Sequence, residues 1–416
     1  MNLLLQPSNV NPNATINITG SKSETNRLLL LQALFPNLKL DNSSNSDDSE
    51  VMEKALMNPQ STVQNPQLID IHHAGTAMRF LTAFFAIQEG KEVVLTGSSR
   101  MKERPIKILV EALQQLGAQI EYAENEGFPP IKIKGKKLTQ NKVSLPANVS
   151  SQYISALLLI APKLENGLEL TLEGEITSVP YIKMTLGLLN EIGVQTSFEG
   201  NRIIVSPKLT TQKAQLLTIE SDWSSASYCY SIVALSKIGT QITLSSYKKN
   251  SLQGDSVLVE IYKDFGVETI FNKDNTITIT KVNNYPLSIV NYQLNDCPDI
   301  AQTIAVTCFG LGTGCHLTGL HTLKIKETDR LEALKNELSK LGATISVTDD
   351  SLRLETSSEM NQNVTIKTYQ DHRMAMAFAP LALKTSLIIE DAEVVSKSYP
   401  AFWDDLKSIG FQINQL

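Results

Sequence analysis

The sequence predicts an α/β protein of two domains, each containing three copies of one structural unit. Three observations lead to this prediction: a glycine that recurs at gaps of 68 to 76 residues, six apolar helical segments with a similar period, and a length of 416 residues. A chain of that length is too long for one ordinary core, so two domains are expected.

The recurring glycine belongs to a pattern, Leu-x-x-Leu-Gly-Ala with variation, that predicts the end of a helix. Its five copies contain Gly117, Gly193, Gly266, Gly342 and Gly410. A glycine after an apolar periodic run is typical of a helix C-terminus. Alternating segments follow the glycine, such as Glu268–Phe271 and Thr276–Thr280, and predict a β-hairpin after the helix.

Six further helices are predicted to be buried, because their bodies are apolar on most faces. They begin near Ser21, Gly75, Ser150, Asp222, Pro298 and Asp371. Ser21-x-x-Glu24 matches a capping box, and Pro298 suits a first helical turn. The chain therefore contains six α/β units, the first of them shortened. We predict one domain of residues 1–20 plus 221–416 and another of residues 21–220, with hinges near residues 20 and 220.

Composition excludes several classes of protein. The net charge of −6 argues against nucleic acid as a partner. No apolar run approaches the roughly 18 residues of a membrane helix, and the first residues lack the basic region of a signal peptide. The four cysteines have no paired spacing and are expected to be free, buried thiols. We expect a monomer in the cytoplasm that does not bind membranes.

Fixed charges concentrate where the predicted helices begin. Lys326-Glu-Thr-Asp-Arg330 and Asp371-His-Arg-Met-Ala-Met376 each combine both signs within five or six residues. Gly20-Ser-Lys-Ser23 and Arg100-Met-Lys-Glu-Arg-Pro105 are two similar stretches upstream. Helix N-termini offer unpaired N–H groups and a partial positive charge, so we predict a pocket for phosphates and carboxylates.

Seven motifs, in order along essentially the whole chain, closely resemble those of the EPSP synthase family, the 3-phosphoshikimate 1-carboxyvinyltransferases. They are Gly20-Ser-Lys-Ser23, Ala74-Gly-Thr-Ala-Met-Arg79, Arg100-Met-Lys-Glu-Arg-Pro-Ile106, Ser150-Ser-Gln152, Pro298-Asp299, Lys326-Glu-Thr-Asp-Arg330 and Asp371-His-Arg-Met-Ala-Met376. The resemblance implies the enolpyruvyl transferase fold, an inside-out α/β barrel of two domains with three βαβαββ repeats each. It also implies transfer of the enolpyruvyl group of phosphoenolpyruvate to the 5-hydroxyl of shikimate-3-phosphate, without metal or cofactor.

The resemblance also assigns residues to both substrates. For phosphoenolpyruvate it implies Lys22, Gly75, Arg104, Gln152, Arg330, Arg373 and Lys397. For shikimate-3-phosphate it implies Lys22, Ser23, Arg27, Ser150, Ser151, Gln152, Ser178, Tyr181, Asp299 and Lys326. Asp299 is the implied base and Glu327 the implied acid, while Lys22 assists the departure of phosphate. Arginine suits this task because its planar fork binds carboxylate and phosphate bidentately.

Three positions depart from the family pattern, which usually has Asn, Pro and Asn where this chain has His73, Phe80 and Thr322. Two alternative functions remain. The sister enzyme that acts on UDP-N-acetylglucosamine shares fold and donor, but that family places a cysteine-containing loop near this part of the chain, and Arg100–Pro105 has no cysteine. A non-catalytic phosphometabolite-binding protein would be expected to lose Asp299 or Glu327, and this chain has both.

Overall fold

In a computed structural model, the described residues are 1–57, 66–148, 150–174, 176, 179–208, 214–284 and 289–416. They divide into two compact units. The discontinuous unit combines Met1–Gly20 with Glu220–Leu416, and the continuous unit is Ser21–Ile219. Within the described ranges, no helix combines the length and the apolar character that a membrane crossing needs.

The chain begins in the discontinuous unit and then builds the whole continuous unit before it returns. Its first two strands are β1 (Leu3–Gln6) and β2 (Ala14–Ile16). The continuous unit follows with α1 (Lys22–Leu34), β3 (Leu38–Asp41), α2 (Asp47–Met57), β4 (Gln67–Asp70), α3 (Gly75–Ala86), β5 (Glu92–Thr96), α4 (Ser99–Lys102), α5 (Lys107–Gln115), β6 (Gln119–Tyr122), β7 (Ile131–Lys134), β8 (Lys142–Pro146), α6 (Ser151–Ile160), β9 (Leu168–Glu173), α7 (Val179–Glu191), β10 (Thr196–Glu199), β11 (Arg202–Val205) and β12 (Gln215–Thr218).

The continuous unit contains two complete βαβαββ repeats and one shortened repeat. The complete repeats form sheets of order β4-β5-β7-β6 and β10-β11-β9-β8, each with one parallel pair and two antiparallel pairs. In the shortened repeat β12 pairs with β3 in parallel as a two-stranded sheet. Strands such as β7 bury Ile131 and Ile133 and expose Lys132 and Lys134, so each sheet has one face for the core.

The discontinuous unit continues with sixteen α-helices and β-strands among its described residues. They are α8 (Trp223–Leu235), β13 (Gln241–Leu244), α9 (Leu258–Ile261), β14 (Val267–Phe271), β15 (Ile277–Lys281), β16 (Val290–Gln293), α10 (Ala301–Leu311), β17 (Cys315–Thr318), α11 (Arg330–Lys340), β18 (Ile345–Val347), β19 (Leu352–Leu354), β20 (Val364–Ile366), α12 (His372–Phe378), β21 (Leu387–Ile389), α13 (Phe402–Ser408) and β22 (Gln412–Gln415).

The first two strands of the chain complete sheets in this unit. Strand β2 lies parallel to β13 in the sheet β14-β15-β13-β2, and β1 lies between β21 and β22 in the sheet β20-β21-β1-β22. The third sheet, β16-β17-β19-β18, comes from one continuous segment. The predicted hairpin is confirmed as β14 and β15, which pair antiparallel.

All five repeating glycines adopt positive φ, from 74° at Gly266 to 113° at Gly410. The amide that follows each glycine donates to the carbonyl five residues earlier, from Ala118 to Leu113 at 2.9 Å in the first copy and from Phe411 to Leu406 at 3.0 Å in the last. This is the Schellman arrangement, in which a left-handed residue lets the chain reverse and satisfy the last carbonyls. The predicted helix ends are therefore confirmed.

The six buried helices begin where the sequence predicts. Ser21, Ser150, Asp222 and Asp371 are N-cap residues, α3 begins at Gly75, and a 3-10 turn at Pro298–Ile300 precedes α10. The predicted capping box is wrong in one respect, because the Ser21 side chain makes no cap hydrogen bond. All four cysteines are buried and free, as expected.

Candidate active site

In the discontinuous unit the carboxylate of Asp299 lies among three cations. Asp299 stands in the 3-10 turn before α10, close to the starts of α11 and α12. Arg330 Nη1 donates to Asp299 Oδ1 at 3.0 Å, and Arg373 Nη2 donates to Oδ2 at 2.9 Å. Lys326 Nζ lies 3.4 Å from Oδ1. The structure thus brings together four residues that the sequence assigned to the site.

Arg330 is the most deeply buried cation of this cluster, with 2% of its side chain exposed. Its Nε donates to Asp371 Oδ2 at 2.6 Å, and Asp371 is itself fully buried. Asp371 also accepts from the amide of Arg373 at 2.9 Å, which caps α12. One carboxylate therefore fixes the guanidinium of Arg330 and the first turn that carries Arg373.

Glu327 lies on the solvent side of Arg330. Arg330 Nη2 donates to Glu327 Oε2 at 2.9 Å, and the Glu327 side chain is 34% exposed. Asp329 orients this stretch because its carboxylate accepts from the amides of Leu331 and Glu332 at 3.1 and 3.2 Å, which caps α11. The charged motif is thus a capped helix start with an exposed carboxylate beside a buried arginine.

The charges of this cluster balance locally. The cations Lys326, Arg330 and Arg373 face the carboxylates of Asp299, Glu327 and Asp371, so three positive charges meet three negative ones. Burial alone would raise the pKa of Asp299, but the charges of Arg373, Lys326 and Arg330 outweigh it and hold that pKa well below its usual range. Asp299 is therefore ionised and strongly held.

The side chain of Lys397 contacts the backbone just before the start of α12. Lys397 ends a 3-10 turn at Ala392–Lys397, and its Nζ donates to the carbonyl of Gln370 at 2.8 Å. Gln370 and its neighbour Tyr369 both have positive φ, 56° and 53°, which non-glycine residues seldom adopt. The hydroxyl of Tyr369 donates to the buried Glu337 at 2.7 Å, which supports this turn.

Behind Arg373 lies a further carboxyl group, Asp255, that the sequence analysis missed. Arg373 Nη2 donates to Ser224 Oγ at 3.3 Å, and the Ser224 hydroxyl donates to Asp255 Oδ2. Burial, together with the charge of Asp299, raises the pKa of Asp255 to about 7. The local sequence Gln253-Gly254-Asp255 offers no periodic or charge pattern that would have indicated this contact.

In the continuous unit Lys22 is the first residue of α1 and lies near Asp48 of α2. Lys22 Nζ is 3.4 Å from Asp48 Oδ2, and His73 Nε2 is 4.0 Å from Oδ1 of the same carboxylate. His73, one of the three departures from the family pattern, therefore lies near the same Asp48 carboxylate that faces the predicted catalytic residue Lys22. Asp48, which the sequence analysis did not select, stands in a run of two aspartates at a helix start.

Arg27 is buried inside this unit, with 3% exposed. Its Nε donates to Thr185 Oγ1 at 2.8 Å, its Nη2 to Ser155 Oγ at 3.0 Å and its Nη1 to the carbonyl of Ser23 at 2.7 Å. The guanidinium also lies 5.4 Å from the ring of Phe80, the second departure. Burial lowers the pKa of Arg27 to about 10, and the arginine remains charged at neutral pH.

Gly75 and Arg104, both predicted phosphoenolpyruvate ligands, are in direct contact. A Cβ at position 75 would overlap the guanidinium of Arg104, so only glycine admits this arrangement at the start of α3. The loop that carries Arg104 is fixed at the carbonyl of Pro105, which accepts from Tyr153 Oη at 2.5 Å and from Arg79 Nη2 at 3.0 Å.

The remaining predicted residues of this unit lie at the starts of α6 and α7. Ser150 caps α6 by accepting from the amide of Gln152, and Gln152 Nε2 donates to Thr76 Oγ1 at 3.0 Å. Ser151 is the first residue of α6 and is half-buried. The phenol of Tyr181 interacts electrostatically with Arg27. The predicted ligand Ser178 lies outside the described residues.

Thr322, the third departure, lies in the 3-10 turn His321–Ile325 of the discontinuous unit. Its hydroxyl oxygen is buried and has no hydrogen-bond partner among the described residues. Threonine, at the position where the family usually has asparagine, therefore leaves a buried hydroxyl oxygen without a hydrogen-bond partner among the described residues.

The chain is similar to known proteins over nearly its whole length. The family model described as EPSP synthase (3-phosphoshikimate 1-carboxyvinyltransferase) matches residues 34–406. The chain is 46% identical to a 3-phosphoshikimate 1-carboxyvinyltransferase of Bacteroides fragilis, over 99% of this chain and 98% of the relative. It is 38% identical to one of Colwellia psychrerythraea, over 95% and 97%.

Two solved structures share the fold. An EPSP synthase from Acinetobacter baumannii superposes with a TM-score of 0.81 at 20% sequence identity and covers 100% of both chains. The enolpyruvyl transferase NikO from Streptomyces tendae superposes with a TM-score of 0.74 at 12% identity, over 99% of this chain and 98% of that chain. The predicted enolpyruvyl transferase fold is confirmed, and the family model together with the close relatives shows that this chain belongs to the EPSP synthase family.

Proposed function

We propose that the chain transfers the enolpyruvyl group of phosphoenolpyruvate to the 5-hydroxyl of shikimate-3-phosphate and releases phosphate. The observation that carries the proposal is the cluster around Asp299, in which two arginines and a lysine meet one carboxylate while Glu327 lies on the outer side of Arg330. Such a cluster can bind a donor that carries two anionic groups, and it can also supply an acid and a base.

The donor carries a phosphate and a carboxylate, and we assign its ligands accordingly. They are Lys22, Gly75, Arg104, Gln152, Arg330, Arg373 and Lys397. Guanidinium groups stay charged at any physiological pH and bind planar anions through two parallel hydrogen bonds. The backbone at the start of α3, where Gly75 leaves room for Arg104, adds N–H donors at a helix N-terminus.

The acceptor, shikimate-3-phosphate, also carries a phosphate and a carboxylate. We assign to it Lys22, Ser23, Arg27, Ser150, Ser151, Gln152, Ser178, Tyr181, Asp299 and Lys326. Ser150, Ser151 and Gln152 belong to a capped helix start, which suits an anion. Arg27 is almost fully buried, and its three hydrogen bonds to protein atoms suit an arginine that is fixed before substrate binds.

The chemistry is an addition followed by an elimination. Glu327 delivers a proton to the methylene carbon of phosphoenolpyruvate while Asp299 accepts the proton of the 5-hydroxyl, and the new C–O bond forms at the adjacent carbon. In the elimination the Glu327 carboxylate takes a proton back from the new methyl group, the electron pair of that C–H bond forms the double bond, and the C–O bond to phosphate breaks. Lys22 assists the departure of phosphate, which receives the proton that Asp299 accepted, so both acids return to their starting states. Placing both acids beside one reacting carbon supplies general acid–base catalysis as well as proximity.

Each acid must first be released from its cation. Asp299 is a weak base while three positive charges hold it, and Glu327 cannot deliver a proton while it remains paired with Arg330. Phosphoenolpyruvate supplies anionic oxygens that compete for Arg330 and Arg373. We propose that donor binding exchanges protein carboxylates for substrate anions on these arginines and thereby activates both acids.

The proposal is tested by phosphate release from the full chain with both substrates. Asp299→Asn should lower kcat by about a hundredfold or more, the usual scale of general base catalysis, while phosphoenolpyruvate still binds. Glu327→Gln should lower kcat on the same scale, because it removes the acid that protonates the methylene carbon. Asp296→Asn is the matched control, because Asp296 is an exposed carboxylate three residues away. Turnover by Asp299→Asn close to that of the control would remove Asp299 from the mechanism.

A further inference from the structure

The contact between Arg373 and Ser224 joins the proposed active site to a carboxyl group that the reaction does not use. Ser224 is the second residue of α8, and Asp255 lies in a 3-10 turn at Gly254–Val257. Asp255 is 7% exposed, so it is held away from bulk solvent. The hydrogen bonds run from Arg373 Nη2 to Ser224 Oγ at 3.3 Å and from the Ser224 hydroxyl to Asp255 Oδ2.

The direction of these hydrogen bonds follows from the chemistry of the three groups. A hydroxyl has one proton to donate and lone pairs with which to accept. An ionised Asp255 can only accept, so it draws the Ser224 proton toward itself and leaves a Ser224 lone pair facing Arg373. A guanidinium can only donate, which matches that lone pair. The same Arg373 nitrogen also donates to Asp299 Oδ2 at 2.9 Å.

We propose that Asp255 is a positioning residue: through Ser224 it holds the Arg373 guanidinium in the orientation that receives the anion of phosphoenolpyruvate. This inference rests on the proposed function, in which Arg373 binds that donor. Asp255 contributes in two ways, by fixing the Ser224 hydroxyl and by attracting the positive charge of Arg373. The side chain of Arg373 is 11% exposed, so the protein groups around it set its orientation.

The charged and titratable groups around Asp255 make its influence depend on pH. Asp299 and Cys297 face it from the turn before α10, Asp222 from the start of α8 and Arg373 from α12. Burial and the charge of Asp299 raise the pKa of Asp255 to about 7, against the attraction of Arg373. Asp255 therefore changes charge near neutral pH, and its hold on Arg373 should weaken as the pH falls through that value.

The test compares wild type with Asp255→Asn, which keeps the shape and removes the charge. At about pH 8 and saturating shikimate-3-phosphate, the variant should raise KM for phosphoenolpyruvate about three- to tenfold, the range of one intramolecular hydrogen bond, with kcat within about twofold. The ratio of the two KM values should approach one below about pH 6, where wild type also carries a neutral group at this position. Titration of the substrates themselves cancels in the ratio.

Ser224→Ala tests the same contact by a change that is easy to accommodate, because Ser224 is half-buried and near a helix start. It should raise KM by a similar factor, and combining it with Asp255→Asn should add little, since both changes break one chain of hydrogen bonds. Glu260→Gln, at an exposed carboxylate paired with Lys263, is the control and should behave as wild type.

Two results would overturn the positioning role. One is unchanged KM in both Ser224→Ala and Asp255→Asn at about pH 8. The other is a KM ratio that stays constant from about pH 6 to pH 8, which indicates a purely structural effect. If the wild-type chain released no phosphate, the proposed function would fail separately. The positioning role would then be tested by the increase in unfolding temperature on adding phosphoenolpyruvate, which should be smaller for Asp255→Asn than for wild type.

Discussion

Single residues in this protein owe their roles to the charges packed around them. Arg330 and Asp371 are both almost completely buried and bind each other. Removing both charges from water costs desolvation free energy, and removing only one partner would cost more because it would leave an unpaired buried charge. Asp299 sits at the outer edge of the same cluster, 13% exposed, where a substrate anion can compete for its cations. The buried pair fixes the geometry, and the outer carboxylates are the ones available for chemistry.

Asp255 should make the protein less stable as the pH rises. Its pKa in the folded chain is about 7, above the ordinary value of 3.8. Between about pH 4 and pH 7 the unfolded chain loses this proton before the folded chain does, so the free energy of unfolding falls as pH rises. Asparagine has no such proton. Asp255→Asn should therefore be more stable than wild type at about pH 8 and equal to it near pH 4.

Urea unfolding at several pH values measures this difference directly. Together with the expected rise in KM, a more stable but less effective variant would show that the buried carboxylate is kept for function. A variant that is less stable than wild type at about pH 8 would mean that Asp255 contributes to the fold through its charge, contrary to the pKa shift.

Gly75 should be required for the position of Arg104. Because a Cβ at residue 75 would overlap the Arg104 guanidinium, Gly75→Ala should displace that side chain and raise KM for phosphoenolpyruvate about tenfold or more, the scale of one charge-assisted hydrogen bond. In an Arg104→Ala background the same change should have little further effect. Additive effects of the two changes would contradict the steric explanation.

At the scale of elements, the repeated helix end is the clearest link between sequence and structure. Gly117 has φ of 101°, and an added Cβ would meet open space, so conformational strain is the main cost of a side chain there. Gly117→Ala should lower the free energy of unfolding by about 1–2 kcal/mol. Gly117→Asn should cost less, because asparagine tolerates positive φ better. Equal stability of all three proteins in urea would contradict the role of the glycine.

Elements with a local pattern could be predicted from the sequence, and elements completed by distant segments could not. The six helix starts and five glycine turns were visible because hydrophobic period and capping residues are local signals. Strand β1 pairs Leu3 with Ile389, and nothing in a four-residue strand indicates such a partner. The same limit applies to side chains: Ser224 meets Arg373 across 149 residues of sequence and Asp255 across 31.

The residues of the candidate site also differ in whether a local sequence pattern indicates them. Asp299, Lys326, Arg330 and Arg373 could be selected because charged residues at helix starts form recognisable motifs, and the structure places them together. Asp48 stands at a helix start whose first-turn charges are all acidic, and Asp255 stands in a stretch without a charge pattern. Their contacts with Lys22 and Ser224 each join two helical segments of one repeat and arise only when that repeat folds. The family prediction is confirmed, and the individual roles of these residues stay predictions.

At the scale of the whole molecule, six related repeats are divided between two units. The chain passes from one unit to the other twice, at residues 20–21 and 219–220. Equivalent positions of successive repeats meet inside both units. Gln152 contacts Thr76 in the continuous unit, and Thr303 contacts Ser227 in the discontinuous one, each 76 residues apart. The chain start completes two sheets whose other strands follow more than 200 residues later, so the discontinuous unit cannot be finished until the chain returns.

Leu5 should therefore control the stability of the discontinuous unit. It is fully buried on β1, between β21 and β22. Leu5→Ala should cost about 2–5 kcal/mol, the usual range for a large buried side chain. Hydrogen exchange should show the loss first in Glu220–Leu416 and little change in Ser21–Ile219, because each unit has its own core. Uniform loss of protection in both units would contradict independent cores.

The most direct test of the proposed reaction is phosphate release by the full-length protein, followed with phosphoenolpyruvate alone, shikimate-3-phosphate alone and both together. The proposed function predicts release only with both substrates, accompanied by an equal amount of a product that carries the enolpyruvyl group on the 5-oxygen of shikimate-3-phosphate. Release from phosphoenolpyruvate alone would indicate a phosphatase, and no release with both substrates present would contradict the proposed transferase.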